Sequence, residues 1–213
     1  RPSGVSSSDE EHEAARAKAL EITGYLTSIG WPEPIIADSG NGAHLLYRID
    51  LPNDVKSRDL VKGCLESLHI RFSDEQCSVD VANFNAARIW KLYGTMSRKG
   101  DNTPERPYRF SDIISLPNQI KEVLEPDLVR LASLYPDTIP DVPSSAGTGG
   151  QVDDLGAWLF GHGIGYEEKP FHDGTLYVLD RCPFSDAHQD GAYAIQFGSG
   201  GVFAGCHHDS CGG

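Results

Sequence analysis

Three of the five cysteines of this chain fall within its last 32 residues, and this clustering constrains the fold more than any other feature. With one histidine they follow the pattern Cys182-x5-His188-x17-Cys206-x4-Cys211. Each close pair of soft ligands closes a small loop, and the stretch between the pairs can fold back to complete a tetrahedron around a metal ion. The spacing therefore predicts a structural zinc site.

A module of about 30 residues has too little core to fold alone, so metal binding would supply its stability. His207 and His208 compete with His188 for the fourth ligand position. The remaining cysteines, Cys64 on an apolar helical face and Cys77 before an apolar segment, are expected to be inert core residues. An odd, clustered set of cysteines is unlike a secreted disulfide scaffold and favours a reducing, cytoplasmic setting.

A stretch rich in proline, serine and glycine at residues 136–150 is typical of a flexible linker. It divides the chain into a core at residues 1–135 and a helix plus zinc-binding β module at residues 151–213. Because helical and extended patterns are mixed throughout, the predicted fold class is α+β. The patterns contain no apolar run of the roughly 20 residues that a membrane span needs, so no membrane partner is expected.

A capping box formed by Ser8 and Glu11 predicts the start of a first helix, which ends at Gly30 and Pro32. The other elements predicted before the linker are strands at residues 34–38 and 43–49 joined by a tight turn, a helix at 54–70, a strand at 77–81, brief extended pieces near 89–90 and 108–110, and a helix at 118–134. A short helix at residues 153–162 and several short strands are predicted after it.

The chain is acidic overall, with a net charge of −13, which argues against wholesale wrapping of a polyanion. One segment differs, because residues 81–110 contain six basic residues and only two acidic ones. The basic residues are Arg88, Lys91, Arg98, Lys99, Arg106 and Arg109. This segment predicts a local phosphate-binding site.

Two further residues sit near that segment in the predicted order of elements. His44 follows the glycine-rich turn at residues 39–42, and Asp80 lies at the end of a predicted strand. Nucleotidyl transfer needs carboxylates that hold divalent cations and cationic donors that stabilise the triphosphate charge. A glycine-rich turn also lets backbone amides approach phosphate oxygens. The combination favours nucleotide chemistry.

These residues carry a resemblance to the archaeo-eukaryotic primase (primase–polymerase) superfamily. The run Ser39, Gly40, Asn41, Gly42 followed by His44 resembles the second motif of the family, and Ser78-Val79-Asp80 resembles its third motif. The segment from Asn85 through Arg88, Lys91, Gly94, Arg98 and Arg109 resembles the phage and plasmid primase–helicase branch. The C-terminal Cys–His–Cys–Cys module is similar to the zinc finger that follows the core in eukaryotic primase–polymerases.

The resemblance implies an RNA-recognition-like core that synthesises primers on single-stranded DNA from nucleoside triphosphates. It implies Asp80 as a Mg²⁺ or Mn²⁺ ligand and His44, the turn at 39–42 and the six basic residues as triphosphate or template contacts. A helicase domain is the implied partner, in phage or plasmid replication. The first acidic motif of the family would stand upstream of Arg1, so this chain is expected to be a truncated core without activity of its own.

Two other functions compete with this interpretation. The first is a non-catalytic module that binds single-stranded nucleic acid and delivers it to a helicase. The second is a zinc-dependent hydrolase in which His44 and Asp80 are metal ligands, which predicts a second zinc per chain.

Overall fold

A computed structural model of the chain describes residues 2–74, 76–135, 152–185, 191–206 and 211. These residues form two compact units, Arg1–Ser133 and Leu134–Gly213. The predicted linker at 136–150 lies outside the described residues. Helices and antiparallel sheets occur in both units, which confirms the predicted α+β class; the RNA-recognition-like core stays a prediction.

The elements of the first unit follow one another in a mixed order. They are α1 (Asp9–Ser28), β1 (Ile35–Asp38), β2 (Ala43–Leu46), α2 (Val55–Phe72), β3 (Met96–Ser97), β4 (Arg109–Phe110), β5 (Asp112–Ser115) and α3 (Glu125–Ala132). The strands form a three-stranded sheet in the order β2-β1-β5 and a separate hairpin of β3 and β4. All pairings are antiparallel.

The predicted start of α1 is confirmed in detail. The Ser8 side chain accepts from the Glu11 backbone N–H, and the Glu11 carboxylate accepts from the Ser8 backbone N–H. This reciprocal arrangement satisfies two of the backbone donors that a helix start leaves without partners. The buried face of α1 carries Ile22 and Leu26, which belong to the core of the first unit together with Ala37 of β1.

Helix α2 packs against α3 through small residues. A side chain at Gly63 would come within 3.1 Å of the Ala132 Cβ, and the Cys64 thiol donates to the Leu128 carbonyl oxygen at 3.2 Å. Burial raises the pKa of the Cys64 thiol to about 12. Cys64 is therefore an inert core residue, as predicted, whereas Cys77 is only half-buried.

One strand prediction in this unit is wrong. Residues 77–81 form no strand, because the Asp74 side chain accepts from the backbone N–H groups of residues 76 and 77 and the Asp80 side chain accepts from that of residue 82. Short polar side chains that bind nearby amides compete with strand pairing in this way. The brief extended piece expected near residues 89–90 belongs to no strand of the described sheets.

The predicted helix at 118–134 is shorter in the structure and begins at Glu125. Pro126 occupies the first turn, where a missing N–H costs nothing, but it would break a helix interior. Residues 118–119 form a bend instead, Glu122 makes an isolated bridge with Arg48, and the Val123 backbone N–H donates to the Arg48 carbonyl oxygen at 2.9 Å.

The second unit contains one helix, α4 (Leu155–Gly161), and an antiparallel sheet in the order β6-β7-β8-β9. The strands are β6 (Tyr166–Phe171), β7 (Gly174–Leu179), β8 (Ala192–Gln196) and β9 (Val202–Cys206). Its core joins Leu155 and Leu159 of α4 to Leu179, Cys182 and Cys206. Two metal-ligand candidates are thus part of the apolar core. Among the described residues of both units, no helix combines the length and apolar content needed to cross a membrane.

Candidate functional site

Three of the four predicted metal ligands converge in the second unit. The Cys182 sulfur lies 3.7 Å from the sulfur of Cys206 and 3.7 Å from that of Cys211. Among the described residues, this is the only group of three or more His, Cys, Asp and Glu side chains whose ligand atoms all lie within 4.8 Å of one another. The sulfurs are too far apart for a disulfide, whose S–S bond is about 2.05 Å. The arrangement could hold a metal ion.

The sheet and one turn position these sulfurs. Cys206 is the last residue of β9 and pairs with Ala192 of β8, and Cys182 follows β7. Burial raises the pKa of the Cys182 thiol, but hydrogen bonds from the Phe184 and Ser185 backbone amides and contacts with the other two sulfurs outweigh burial and lower it. Amides that donate to a sulfur stabilise the thiolate, which is the form that binds metal.

The predicted fourth ligand, His188, lies outside the described residues, as do its competitors His207 and His208. Residues 186–190 connect Cys182 to β8, and residues 207–210 connect β9 to Cys211. Each candidate is therefore close in sequence to at least one of the three placed sulfurs. The choice among them stays a prediction.

In the first unit, His44 lies in β2 opposite Ala37 of β1. Its Nδ1 atom is 2.8 Å from the Tyr93 hydroxyl oxygen, which the Trp90 indole N–H also contacts at 3.1 Å. The imidazole packs against the Trp90 ring at a centroid distance of 4.7 Å and against the Tyr93 ring at 5.9 Å. His44, Trp90 and Tyr93 form one contact group, called the histidine cluster below.

Charges from three other residues act on His44. Burial lowers the pKa of the imidazole, the carboxylates of Asp38 and Asp80 oppose that effect, and Lys91 reinforces it. The charges of Asp80 and of Lys91 in the basic segment thus act on His44, although neither makes a contact with its ring among the described residues. Asp80 itself is exposed, and its carboxylate accepts from the Ala82 backbone N–H at 2.9 Å and from the Asn83 side chain at 3.1 Å.

The surroundings of His44 do not fit a two-metal centre. Asp80 belongs to no group of three or more metal-ligating side chains within the part of the chain that the structure describes. The Asp38 carboxylate is engaged by other groups of the protein, since it contacts His12 Nε2 at 2.8 Å and accepts from the Gly40 N–H at 2.6 Å. A second zinc held by His44 and Asp80 is equally unsupported by the described side chains.

The turn at residues 39–42 uses its polar groups within the fold. The Ser39 N–H and hydroxyl both donate to the Gly42 carbonyl oxygen at 2.9 Å, and the Asn41 N–H donates to the Ser39 hydroxyl at 3.2 Å. The Asn41 side chain accepts from the Ser7 N–H and donates to Ser97. With the Gly40 N–H directed to Asp38, the amides of residues 39–41 are engaged internally. Phosphate contacts of this turn stay a prediction, and the internal hydrogen bonds of its amides argue against them.

Two of the six basic residues are tied to the N-terminal segment. Arg106 makes a bidentate ion pair with Glu11 at 2.7 and 3.1 Å and also donates to the Ser6 carbonyl oxygen. Arg109 donates to the Ser7 carbonyl oxygen at 2.9 Å and pairs with Asp9. These contacts hold the start of α1 against β4, which is a structural role that the sequence did not indicate.

Three of the other four basic residues differ from Arg106 and Arg109 in their ion pairs. Arg88, Lys91 and Arg98 form no ion pair with any carboxylate of the described residues, and Arg88 and Arg98 are exposed. The Lys99 backbone carbonyl accepts from the N–H and the hydroxyl of Ser6. Arg88, Lys91 and Arg98 are thus the cations with side chains available to a ligand.

Sequence reasoning missed Trp90 and Tyr93 as site residues. The sequence did contain a signal for these two residues, since aromatic and apolar residues are interleaved with basic ones between Arg88 and Tyr93. Ile89 and Leu92 in this segment are 94% and 75% exposed, and Trp90 is 41% exposed. Interleaved cations and exposed rings are what single-stranded nucleic-acid binders use for phosphates and bases.

The chain matches no protein-family model, no curated protein and no solved structure. The resemblance to primase–polymerases therefore depends on the motifs of the sequence alone, and the geometry of the two sites is the independent information about function.

Proposed function

We propose that the first unit is the nucleotide-binding part of a primase–polymerase-type core. One observation carries the proposal: His44 of β2 contacts Trp90 and Tyr93, which flank Lys91 in the basic segment far along the chain. The ligand would be a nucleoside triphosphate together with single-stranded DNA. Its phosphates would contact His44, Lys91 and Arg88, and a base could stack on the exposed part of the Trp90 ring.

The distribution of ion pairs supports this assignment. Arg106 and Arg109 neutralise Glu11 and Asp9, whereas Arg88, Lys91 and Arg98 have no carboxylate partner among the described residues. In a chain with a net charge of −13, cations without a carboxylate partner attract anionic ligands to the segment that carries them. Arg88 and Lys91 adjoin Trp90 of the histidine cluster in sequence, so phosphate binding is assigned to that cluster, whereas Arg106 and Arg109 at the hairpin of β3 and β4 are already neutralised.

The described residues support binding rather than catalysis. Nucleotidyl transfer uses carboxylates that hold two divalent cations, and Asp80 is a single exposed carboxylate. We therefore propose that template-directed primer synthesis in phage or plasmid replication, with Mg²⁺ or Mn²⁺ and a helicase partner, belongs to a polypeptide that supplies further carboxylates. No catalytic step follows from this chain alone.

For the second unit we propose a structural zinc ion held by Cys182, Cys206, Cys211 and a histidine. A tetrahedral zinc with Zn–S bonds of about 2.3 Å has S···S edges of about 3.8 Å. The two described separations of 3.7 Å fit such a tetrahedron. Free thiols kept in this arrangement also fit the predicted reducing, cytoplasmic setting.

A nucleotide titration tests the proposed function of the first unit. Trp90 fluorescence and amide chemical shifts would be followed as a nucleoside triphosphate is added with Mg²⁺, with a parallel titration by single-stranded oligonucleotide. Lys91→Ala and Arg88→Ala are expected to weaken binding about 5–10-fold each, as loss of a charge-assisted hydrogen bond does. Arg58→Ala is the matched control, because Arg58 on α2 is already paired with Asp59.

Equal affinities in all three variants would contradict the proposal. The single-stranded nucleic-acid-binding module remains the second candidate, and the exposed Ile89 and Leu92 beside Trp90 favour it. That module predicts oligonucleotide binding that falls with salt and needs no divalent cation. Divalent-dependent triphosphate binding distinguishes the first candidate from the second.

A further inference from the structure

The tautomer of His44 is decided by the hydrogen bonds around the Tyr93 hydroxyl. The Trp90 indole nitrogen lies 3.1 Å from the Tyr93 oxygen, and an indole N–H can only donate. The Tyr93 oxygen therefore accepts from Trp90. His44 Nδ1 lies 2.8 Å from the same oxygen, so the remaining question is which of the two atoms donates across that contact.

The arrangement in which Tyr93 donates satisfies every group. The hydroxyl hydrogen has one acceptor among its described neighbours, which is the unprotonated Nδ1 of His44. If Nδ1 carried the proton instead, the Tyr93 oxygen would accept two N–H groups and its own hydrogen would have no protein acceptor there. The arrangement that uses every donor and acceptor inside the cluster is favoured over one that leaves a donor without a protein partner.

We propose that Tyr93 is a positioning residue for His44: its hydroxyl, held by the Trp90 indole N–H, donates to Nδ1 and fixes the imidazole in the tautomer with its proton on Nε2. The orientation of the imidazole ring is restricted too, because the Trp90 ring packs on it at a centroid distance of 4.7 Å. The hydrogen bond made by one ring nitrogen sets the state of the other.

The consequence concerns the face that His44 offers to a ligand. Nε2 has no hydrogen-bond partner among the described residues, so its N–H is available to an anionic oxygen. The charged groups that act on the ring are Asp38, Asp80 and Lys91, and burial lowers the pKa of the imidazole. His44 is therefore a neutral donor near pH 7. That a phosphate oxygen is the acceptor rests on the proposed function of the first unit.

Long-range ¹H–¹⁵N NMR spectra of the whole chain at pH 7 test the proposal without any ligand. The imidazole signals of His44, identified by their loss in His44→Gln, are expected to show a protonated Nε2 and an unprotonated Nδ1. Tyr93→Phe removes the hydroxyl and is expected to give a mixture of tautomers. Trp90→Phe keeps the hydroxyl but removes the donor that orients it, so a smaller change in the same direction is expected.

Tyr25→Phe is the matched control, since the Tyr25 ring in the same unit packs against Phe72 and Arg71, and loss of its hydroxyl should leave the His44 signals unchanged. Backbone amide spectra show whether each variant keeps its fold. If Tyr93→Phe does not fold, Trp90→Phe serves as the test. A protonated Nδ1 in the wild-type chain, or an unchanged tautomer in both variants, would overturn the proposal.

Addition of inorganic tripolyphosphate with Mg²⁺ then tests the ligand-facing role. The His44 Nε2 signal is expected to shift, and Tyr93→Phe is expected to weaken binding about fivefold, the equivalent of one hydrogen bond. If the tautomer is as stated and Nε2 does not respond, the positioning role of Tyr93 holds and the phosphate-binding function is overturned. The two failures are thus distinguishable.

Discussion

The two units of the chain form their candidate sites in opposite ways. In the second unit, Cys182, Cys206 and Cys211 lie within 30 residues of one another, and the Cys182 sulfur is 3.7 Å from each of the other two sulfurs. In the first unit, the histidine cluster joins a strand residue, His44, to a loop almost 50 residues later, at Trp90 and Tyr93. One site is local in sequence and the other is not.

The two units also differ in the contacts that are expected to stabilise them beyond their apolar cores. The second unit has a small core that includes two of the metal-ligand candidates, so its stability is expected to depend on the metal. The first unit uses a polar clamp, defined here as the contacts of Ser6, Ser7 and Glu11 with Asn41, Lys99, Arg106 and Arg109. The first unit thus has many contacts of small individual energy where the second unit is expected to have one metal site.

The largest expected effect is in the second unit. Cys182→Ser is expected to abolish binding of one zinc per chain and to unfold residues 152–206, because structural zinc contributes about 10 kcal/mol or more to such modules. Metal analysis and amide spectra measure the two effects. Cys77→Ser is the control, since Cys77 is half-buried in the first unit and should leave the metal content unchanged. A Cys182→Ser chain that still binds one zinc and keeps its spectrum would contradict the assigned site.

A glycine pair measures how tightly the clamp is packed in the first unit. Gly40 and Gly94 share a φ of +81°, so an alanine at either position carries the same backbone cost of about 1 kcal/mol. Only at Gly40 would the new Cβ come within 2.7 Å of the Arg109 carbonyl oxygen and the Ser97 Cβ, whereas nothing lies within 4 Å at Gly94. Gly40→Ala is therefore expected to cost about 2–4 kcal/mol in unfolding free energy.

Urea unfolding measures both variants, and the difference between them is the part due to packing. Equal losses for Gly40→Ala and Gly94→Ala would show that the turn does not press against the hairpin of β3 and β4. That result would also remove the structural reason for a glycine at this position.

The ion pair of Arg106 and Glu11 gives the clamp a pH dependence. The side-chain hydrogen bond from Arg106, followed by the Ser8 N–H, lowers the pKa of Glu11 from about 4.5 to about 2. Between these values the unfolded chain binds more protons than the folded one. The pair therefore stabilises the fold fully above about pH 4.5, and this contribution is lost as the pH falls toward 2.

Arg106→Ala is expected to lower the urea midpoint at pH 7 by a small amount, because the pair is partly solvated, and this loss should shrink below pH 4.5. Urea midpoints followed through the amide signals of α1 report it. Arg98→Ala is the control, since Arg98 is exposed and makes no ion pair within the described residues. A cost that stays constant down to pH 2 would exclude Glu11 as the titrating partner.

The smallest effect is expected at an exposed ion pair outside the clamp. Lys56 Nζ donates to Glu125 at 3.0 Å, and the two side chains are 80% and 51% exposed. Lys56→Met is expected to leave the urea midpoint almost unchanged, because solvent and salt screen exposed pairs. A midpoint that falls as far as in Arg106→Ala would show that ordinary ion pairs hold the first unit as firmly as the clamp does.

Local signals in the sequence predicted the parts of the structure that depend on neighbours. The capping box of Ser8 and Glu11, the first two helices and the hairpin around residues 39–42 are confirmed, since each depends on residues within a few positions. The strand at 77–81 and the long third helix were wrong because Asp80 and Pro126 act on the backbone more strongly than the apolar pattern does.

The sequence alone determined the α+β composition, the metal-ligand spacing and the position of the basic segment, because each depends on residue types and short separations. The tertiary structure decided which cations are free and which histidine contacts matter. Arg106 is neutralised by Glu11, 95 residues away, and His44 is held by Tyr93, 49 residues away. No local pattern encodes such pairings, since chain folding sets the distance between residues that are far apart in sequence.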